Sequence, residues 1–168
     1  NAAFIPSYTN ENLKNKKAGK IFSDDVFNLL IIFLLILVFV VEIFMPWFVF
    51  LIAPGFKENS DKLNLAIQLT RITFPFLLFV SLSSFFSAIL NSHNKFGAAS
   101  AAPIILNIFL ILVLFFGQYQ NQELVFNLSY AVTLAGIVQL FFLFFFVKNY
   151  YSPKISFKFK VSNKVKLF

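Results

Sequence analysis

The sequence predicts an all-α fold: a polytopic membrane helical bundle with four full transmembrane helices. Composition is the first observation. Of 168 residues, 59% are hydrophobic and only 12% are charged. That balance excludes a disordered chain and fits a membrane protein. The second is a set of long apolar runs, each near the ~20 residues that a bilayer core requires. The third is the punctuation between runs, where Pro, Gly, Asn and Lys gather in short polar turns.

The elements follow in chain order. Asn1–Tyr8 reads as the tail of a preceding helix or the exit from one, not as a signal peptide, as though the chain were cut from a longer one. Thr9–Asp25 is polar and carries Lys14, Lys16, Lys17 and Lys20, with Gly19 and Ser23-Asp24-Asp25 as loop and capping material. The first span is expected at about 26–52. LLIIFLLILVFVV at its centre is oily on every face, Glu42 interrupts it, and Pro46-Trp47 supplies a kink and an interfacial aromatic. Ala53-Pro54-Gly55-Phe56 ends it, and Ser60 or Asp61 caps the next helix.

The second span, about 62–91, is longer than a bilayer needs and holds Pro75 as a site for a bend. Ser83, Ser84, Ser87 and Ala88 form a small-residue stripe for close helix packing. Asn91–Lys95 is a polar turn in which His93, with no carboxylate or second histidine nearby, reads as a solvated loop residue. The third span, about 98–116, puts Pro103 in its first turns and has Asn107 as its one strongly polar residue. The fourth, about 124–147, carries Gly136 and Gln139 mid-helix. Ser152-Pro153 ends that helix. From Lys154 to Val161, Ile155, Phe157, Phe159 and Val161 then alternate with polar residues, as in an extended basic segment at the membrane surface. The expected division is therefore 1–153 as helical bundle and 154–168 as basic cytoplasmic linker, with Asn163 capping a further helix.

Charge sets the expected orientation. The net charge is +7, and most of the 14 cations lie before the first span, between the second and third, or after the fourth. The two opposite loops hold Lys57 and Lys62, offset by Glu58 and Asp61. The positive-inside rule then places both ends and the middle turn in the cytoplasm. The same positive charge does not point to nucleic acid, because the polar faces such binding needs are missing.

Motifs for chemistry are absent. The sequence has no phosphate-binding glycine loop, no HExxH and no cysteine, and its carboxylates are scattered. No enzyme activity, cofactor or metal is expected. Arg71, the one arginine, is the costly residue, and a charge inside a span is a functional candidate. It lies ~13 Å along its helix from Lys62, and Glu42 lies ~15 Å from Ile52 along the neighbouring antiparallel helix. The two charges thus reach similar depth and are expected to pair. The plainer alternative has Arg71 snorkelling to the interface. For Asn107 and Gln139 the plainer reading is interhelical hydrogen bonding, and for Ser84 it is packing.

Several stretches in order carry a resemblance: AAFIPSY, PW followed by APGF, RITFPFLLFVSLSSFFSAILNSHNKF, APIILNI and YAVTLAGIVQL. Together they resemble the MurJ (MviN) family of lipid II flippases over essentially the whole chain. The resemblance implies a multidrug/oligosaccharidyl-lipid/polysaccharide exporter fold, in which this chain forms most of the first of two lobes and lacks the C-terminal lobe. It implies a multi-pass protein of the bacterial inner membrane that flips lipid II, a peptidoglycan precursor, by alternating access. Its partners would be lipid II, membrane lipids and the missing lobe. Substrate-cavity candidates are Arg71, Glu42, Ser84, Asn107 and Gln139, and Arg71, Ser84, Asn107 and Gln139 are expected to converge on one side of the bundle. An exporter of another polyprenyl-diphosphate-linked saccharide and a non-transporting membrane scaffold are the alternatives; the scaffold predicts polar residues scattered to all faces.

Overall fold

The computed structural model describes residues 4–117 and 121–155. They form helices α1 (Phe4–Lys14), α2 (Lys16–Ile43), α3 (Met45–Ile52), a 3-10 turn (Pro54–Glu58), α4 (Ser60–Thr73), α5 (Phe76–Ser92), α6 (Phe96–Phe116) and α7 (Asn121–Val147). Four segments are long and apolar enough to cross a membrane: Lys16–Ile43, Ser60–Ser92, Phe96–Phe116 and Glu123–Val147. The fold is thus the all-α, polytopic bundle expected from the apolar runs.

The largest difference from expectation lies at the start. Residues 9–25 are not a loop but the end of α1 and the first turns of α2. Their polarity concealed a helical spacing: Phe4, Tyr8 and Glu11 are buried on α1, and Gly19, Phe22, Ser23 and Phe27 on α2. The chain turns at Asn15, whose side chain caps α2 by accepting from the Lys17 N–H at 2.9 Å. Gly19 is a contact rather than a turn. A Cβ there would lie 3.0 Å from Asn12 backbone and side-chain atoms, so glycine lets α1 and α2 meet. Ser23 sits inside α2, fully buried, and caps nothing.

Both expected proline bends are present. The first span divides at Phe44, just ahead of Pro46, which occupies the first turn of α3. The second divides at Phe74-Pro75, where the Leu77 and Leu78 N–H groups bond three residues back, to Phe74 and Pro75. Each proline removes one donor, and the carbonyls left free are those one turn earlier, on Glu42 and Arg71.

α5 is the central helix and packs against α1, α2, α6 and α7; α7 also packs against α4 and α6. The core gathers at one end, where Phe4, Tyr8, Phe22, Phe27, Phe85, Phe86 and Tyr151 cluster with Leu82, Ile89 and Leu90. The outer faces stay apolar and open. Phe39, Trp47, Phe115, Phe116 and Phe141 are all exposed, as lipid-facing side chains must be.

His93 is not a solvated loop residue. It is half-buried at the end of α5, its ring 4.9 Å from that of Tyr150 and 5.8 Å from that of Tyr8. Its Nδ1 lies 2.9 Å from the Ile89 carbonyl. A carbonyl only accepts, so Nδ1 carries the proton. The turn that follows places Asn94 at φ 58, in the left-handed region that asparagine tolerates. Of the basic segment after Pro153, only Lys154 and Ile155 are among the described residues; Ser156–Phe168, with Asn163, lies outside them.

Candidate functional site

Two charges meet between the proline bends. Arg71 Nε lies 3.6 Å from Glu42 Oε2, the pairing expected from their matched depth. Each charged residue stands four positions before a proline, Glu42 before Pro46 and Arg71 before Pro75. The pair therefore bridges the last full turn of α2 and the last turn of α4, where both helices lose their regular hydrogen bonding. The contact is single and long for a charged hydrogen bond, not the two-pronged form arginine makes with a carboxylate at best. Glu42 Oε1 is buried without a hydrogen-bond partner among the described residues, while the Arg71 side chain is 51% exposed. An arginine held this loosely is anchored in position with much of its fork unoccupied.

The second bend is braced from α7. The Thr133 hydroxyl donates to the Ile72 carbonyl at 2.6 Å, one residue from Arg71. Within α4, the Thr73 hydroxyl donates to the Leu69 carbonyl at 3.0 Å. The Thr133 hydroxyl thus meets a carbonyl beside the break at Pro75, as hydroxyls do where a membrane helix is interrupted. One turn beyond Thr133, Gly136 meets the start of α5. A Cβ at Gly136 would lie 2.6 Å from Phe76 Cδ2 and 3.2 Å from Phe79 Cβ.

Farther along the same face of α7, Gln139 reaches a cavity of about 310 Å³ between α5, α6 and α7. Ser84, Ser87, Asn91 and Ser100 line it as well. Ser84 also borders a smaller cavity of about 170 Å³ with Phe4, Val26 and Leu30. The expected small-residue stripe of α5 is thus split: Ser83 and Ala88 are buried packing residues, and Ser84 and Ser87 face cavities. Asn107 is exposed on α6 and is not among the residues lining either cavity. The five candidates therefore form two groups, Glu42 with Arg71 and Ser84 with Gln139, and Asn107 stands apart from both. Among the described residues no cluster of His, Asp and Glu is suited to a metal ion.

At the aromatic end, the segment after α7 is clasped to α2. Asp24 Oδ1 accepts from the Tyr151 hydroxyl at 2.8 Å and from the Lys154 N–H at 3.1 Å. Asn28 Nδ2 donates to the Lys154 carbonyl at 2.9 Å and to the Asp24 carbonyl at 2.7 Å. Burial, and then the hydrogen bond and charge of Asp24, push the Tyr151 phenol well above the usual tyrosine range. Burial raises Tyr8 as well.

Asp24, Asn28, Thr133 and Tyr151 escaped sequence reasoning because their partners are more than 60 positions away or sit across a helix interface. The one local signal was a pattern: Thr133, Gly136 and Gln139 recur at helical spacing on a single face of the last span.

A family model described as "Lipid II flippase MurJ" matches residues 1–168. A protein of Rickettsia prowazekii, named a probable lipid II flippase MurJ, is 42% identical over 149 residues, covering 88% of this chain and 29% of its own. One of Rhizobium tropici with the same name is 39% identical over 145 residues, covering 83% of this chain and 27% of its own. A lipid II flippase MurJ of Burkholderia cenocepacia is 33% identical over 93 residues, covering 55% of this chain and 18% of its own. The chain spans less than a third of the length of these curated relatives.

Proposed function

Because this chain belongs to the MurJ family of lipid II flippases, we propose that it forms part of a transporter carrying lipid II across the bacterial cytoplasmic membrane, with Arg71 meeting the diphosphate. The observation that carries this reading is a half-exposed arginine between two helix bends, tethered by one 3.6 Å contact. A diphosphate cannot cross hydrocarbon unaided, since burying an uncompensated charge costs many kcal/mol. Arginine answers that problem with a planar fork that is always charged and takes phosphate oxygens in pairs. Glu42 holds the fork at the right depth when no lipid is bound and releases it when a doubly charged group arrives. The kinks at Pro46 and Pro75 place this exchange where the helices bend most easily.

Transport makes and breaks no covalent bond. The protein must supply an oily exterior for the lipid tail and a polar interior for the head group, and then alternate its opening. The exposed phenylalanines of α2, α6 and α7 suit the first task. The second needs the other lobe that the family resemblance implies, since one lobe cannot enclose a lipid head group. In this reading 1–153 is the bundle and 154–168 the basic segment leading onward along the cytoplasmic surface, attracted by anionic lipid.

The test is translocation of lipid II in liposomes by a full-length protein carrying this segment. Losing a charge-assisted hydrogen bond is worth ~1.5–3 kcal/mol, so Arg71→Ala is expected to slow flipping by roughly tenfold to a hundredfold. Arg71→Lys should be intermediate, and Glu42→Gln the mildest. Wild-type rates in Arg71→Ala refute the assignment of Arg71.

A further inference from the structure

The cavity between α5, α6 and α7 has chemistry unlike that of the Glu42–Arg71 pair. No charged side chain lines it. Its polar groups are the hydroxyls of Ser84, Ser87 and Ser100 and the carboxamides of Asn91 and Gln139. Each of these both donates and accepts. Gln139 is only 7% exposed and has no hydrogen-bond partner among the described residues, and Asn91 Oδ1 is buried with none. Buried carboxamides are rarely left unsatisfied, and each such group costs ~1–3 kcal/mol. Gln139, largely buried yet lining the cavity with no partner among the described residues, marks a place where something polar binds.

The size and the charge narrow the ligand. About 310 Å³ is at the lower end of small-molecule sites and far more than one bridging water fills. An anion would find no cation here, and a divalent cation no carboxylate. Hydroxyls and carboxamides together suit a neutral ligand rich in hydroxyl and amide groups. Access fits too: Ser84 and Ser100 are exposed at the rim, and Gln139 is buried deeper. Gln139 also lies six residues along α7 from Thr133, which touches the residue beside Arg71. That is roughly 9 Å along the helix axis, about the reach of a sugar joined to a diphosphate.

We infer that this cavity is a saccharide site, in which Gln139, Asn91 and Ser84 hydrogen-bond the uncharged sugar of the lipid-linked substrate. The inference rests on the flippase reading and divides the head group in two: charge at Arg71, sugar at Gln139. It therefore makes a prediction the diphosphate assignment does not. Variants in the cavity should distinguish a lipid that carries the saccharide head group from one that carries the diphosphate alone.

The experiment measures binding of two probes, lipid II and bare undecaprenyl diphosphate, to the full-length protein in lipid nanodiscs. Gln139→Leu and Ser84→Ala are each expected to weaken lipid II binding, by roughly tenfold for Gln139→Leu, since one lost hydrogen bond to a neutral group has about that effect. Both should leave binding of the bare diphosphate unchanged, which also shows that the variants are folded. Gln139→Asn should recover part of the loss. Equal weakening of both probes, or of neither, overturns the saccharide site and leaves the flippase reading standing. A wild-type protein that binds neither probe overturns the flippase reading and this site with it.

Discussion

Replacing Thr133 by Val changes little in shape and removes one hydroxyl. That hydroxyl donates at 2.6 Å to the Ile72 carbonyl, beside the break that Pro75 makes between α4 and α5. Without it the carbonyl faces an apolar interface, where an unmet acceptor costs ~1–3 kcal/mol. Hydrogen bonds between membrane helices average nearer 0.6 kcal/mol and reach ~1.7, because the unfolded state in the membrane finds other partners. The short distance and the lack of a regular turn at Pro75 place Thr133 towards the upper end, so about 1–1.7 kcal/mol is expected. The assay is reversible unfolding of the full-length protein in mixed micelles, run as a double-mutant cycle with Pro75→Ala. Alanine restores a backbone donor and lets α4 and α5 run on, bringing the Phe76 N–H back to the Ile72 carbonyl. Thr133→Val should then cost much less in the Pro75→Ala background, with a coupling of about 1 kcal/mol. Simple additivity of the two changes would refute the idea that Thr133 compensates the proline break.

Three further outcomes are expected. Gly136→Ala puts a Cβ 2.6 Å from Phe76 Cδ2 and should destabilise by ~1–3 kcal/mol in the same assay, with Phe76→Leu restoring part of the loss. Asp24→Ala should free the Tyr151–Lys154 segment from α2, read as faster proteolysis after α7. The clasp should also resist alkali: the Tyr151 pKa is raised on folding, so its stabilisation is complete below about pH 10, the unfolded value, and declines only as pH rises beyond it. Phenolate absorbance that rises fully at an ordinary tyrosine pKa would count against that burial. Cysteines at Lys95 and Asn59 should label from opposite sides of the membrane, Lys95 from the cytoplasm, and labelling of Lys95 from outside would reverse the orientation.

Much of the site was legible because its cause is one-dimensional. Counting residues from the turns put Glu42 and Arg71 at equal depth, and the cost of a lone charge in hydrocarbon required a partner. Gln139 and Ser84 stood out as polar groups in oily helices and do share a cavity. Asn107 stood out for the same reason, yet it is exposed on α6 away from them. Polarity within a span indicates that a residue has a reason to be there, not which way it faces.

The sequence by itself determined the class of fold, the number of long apolar segments and both proline bends, because apolar length, helix breaking and charge cost act locally along the chain. Tertiary structure alone decided what the polar start of the chain does. Lys14 to Asp25 looks like a loop until α1 and α2 close over Gly19 and the aromatic cluster gives Phe22 and Phe27 something to pack against. It alone also decided that Asp24 and Asn28 hold a segment some 126 to 130 positions away, and that Thr133 rather than a neighbour satisfies Ile72. A hydrogen bond depends on where two groups lie in space, and only the packing of α1, α2, α4 and α7 brings these groups within reach.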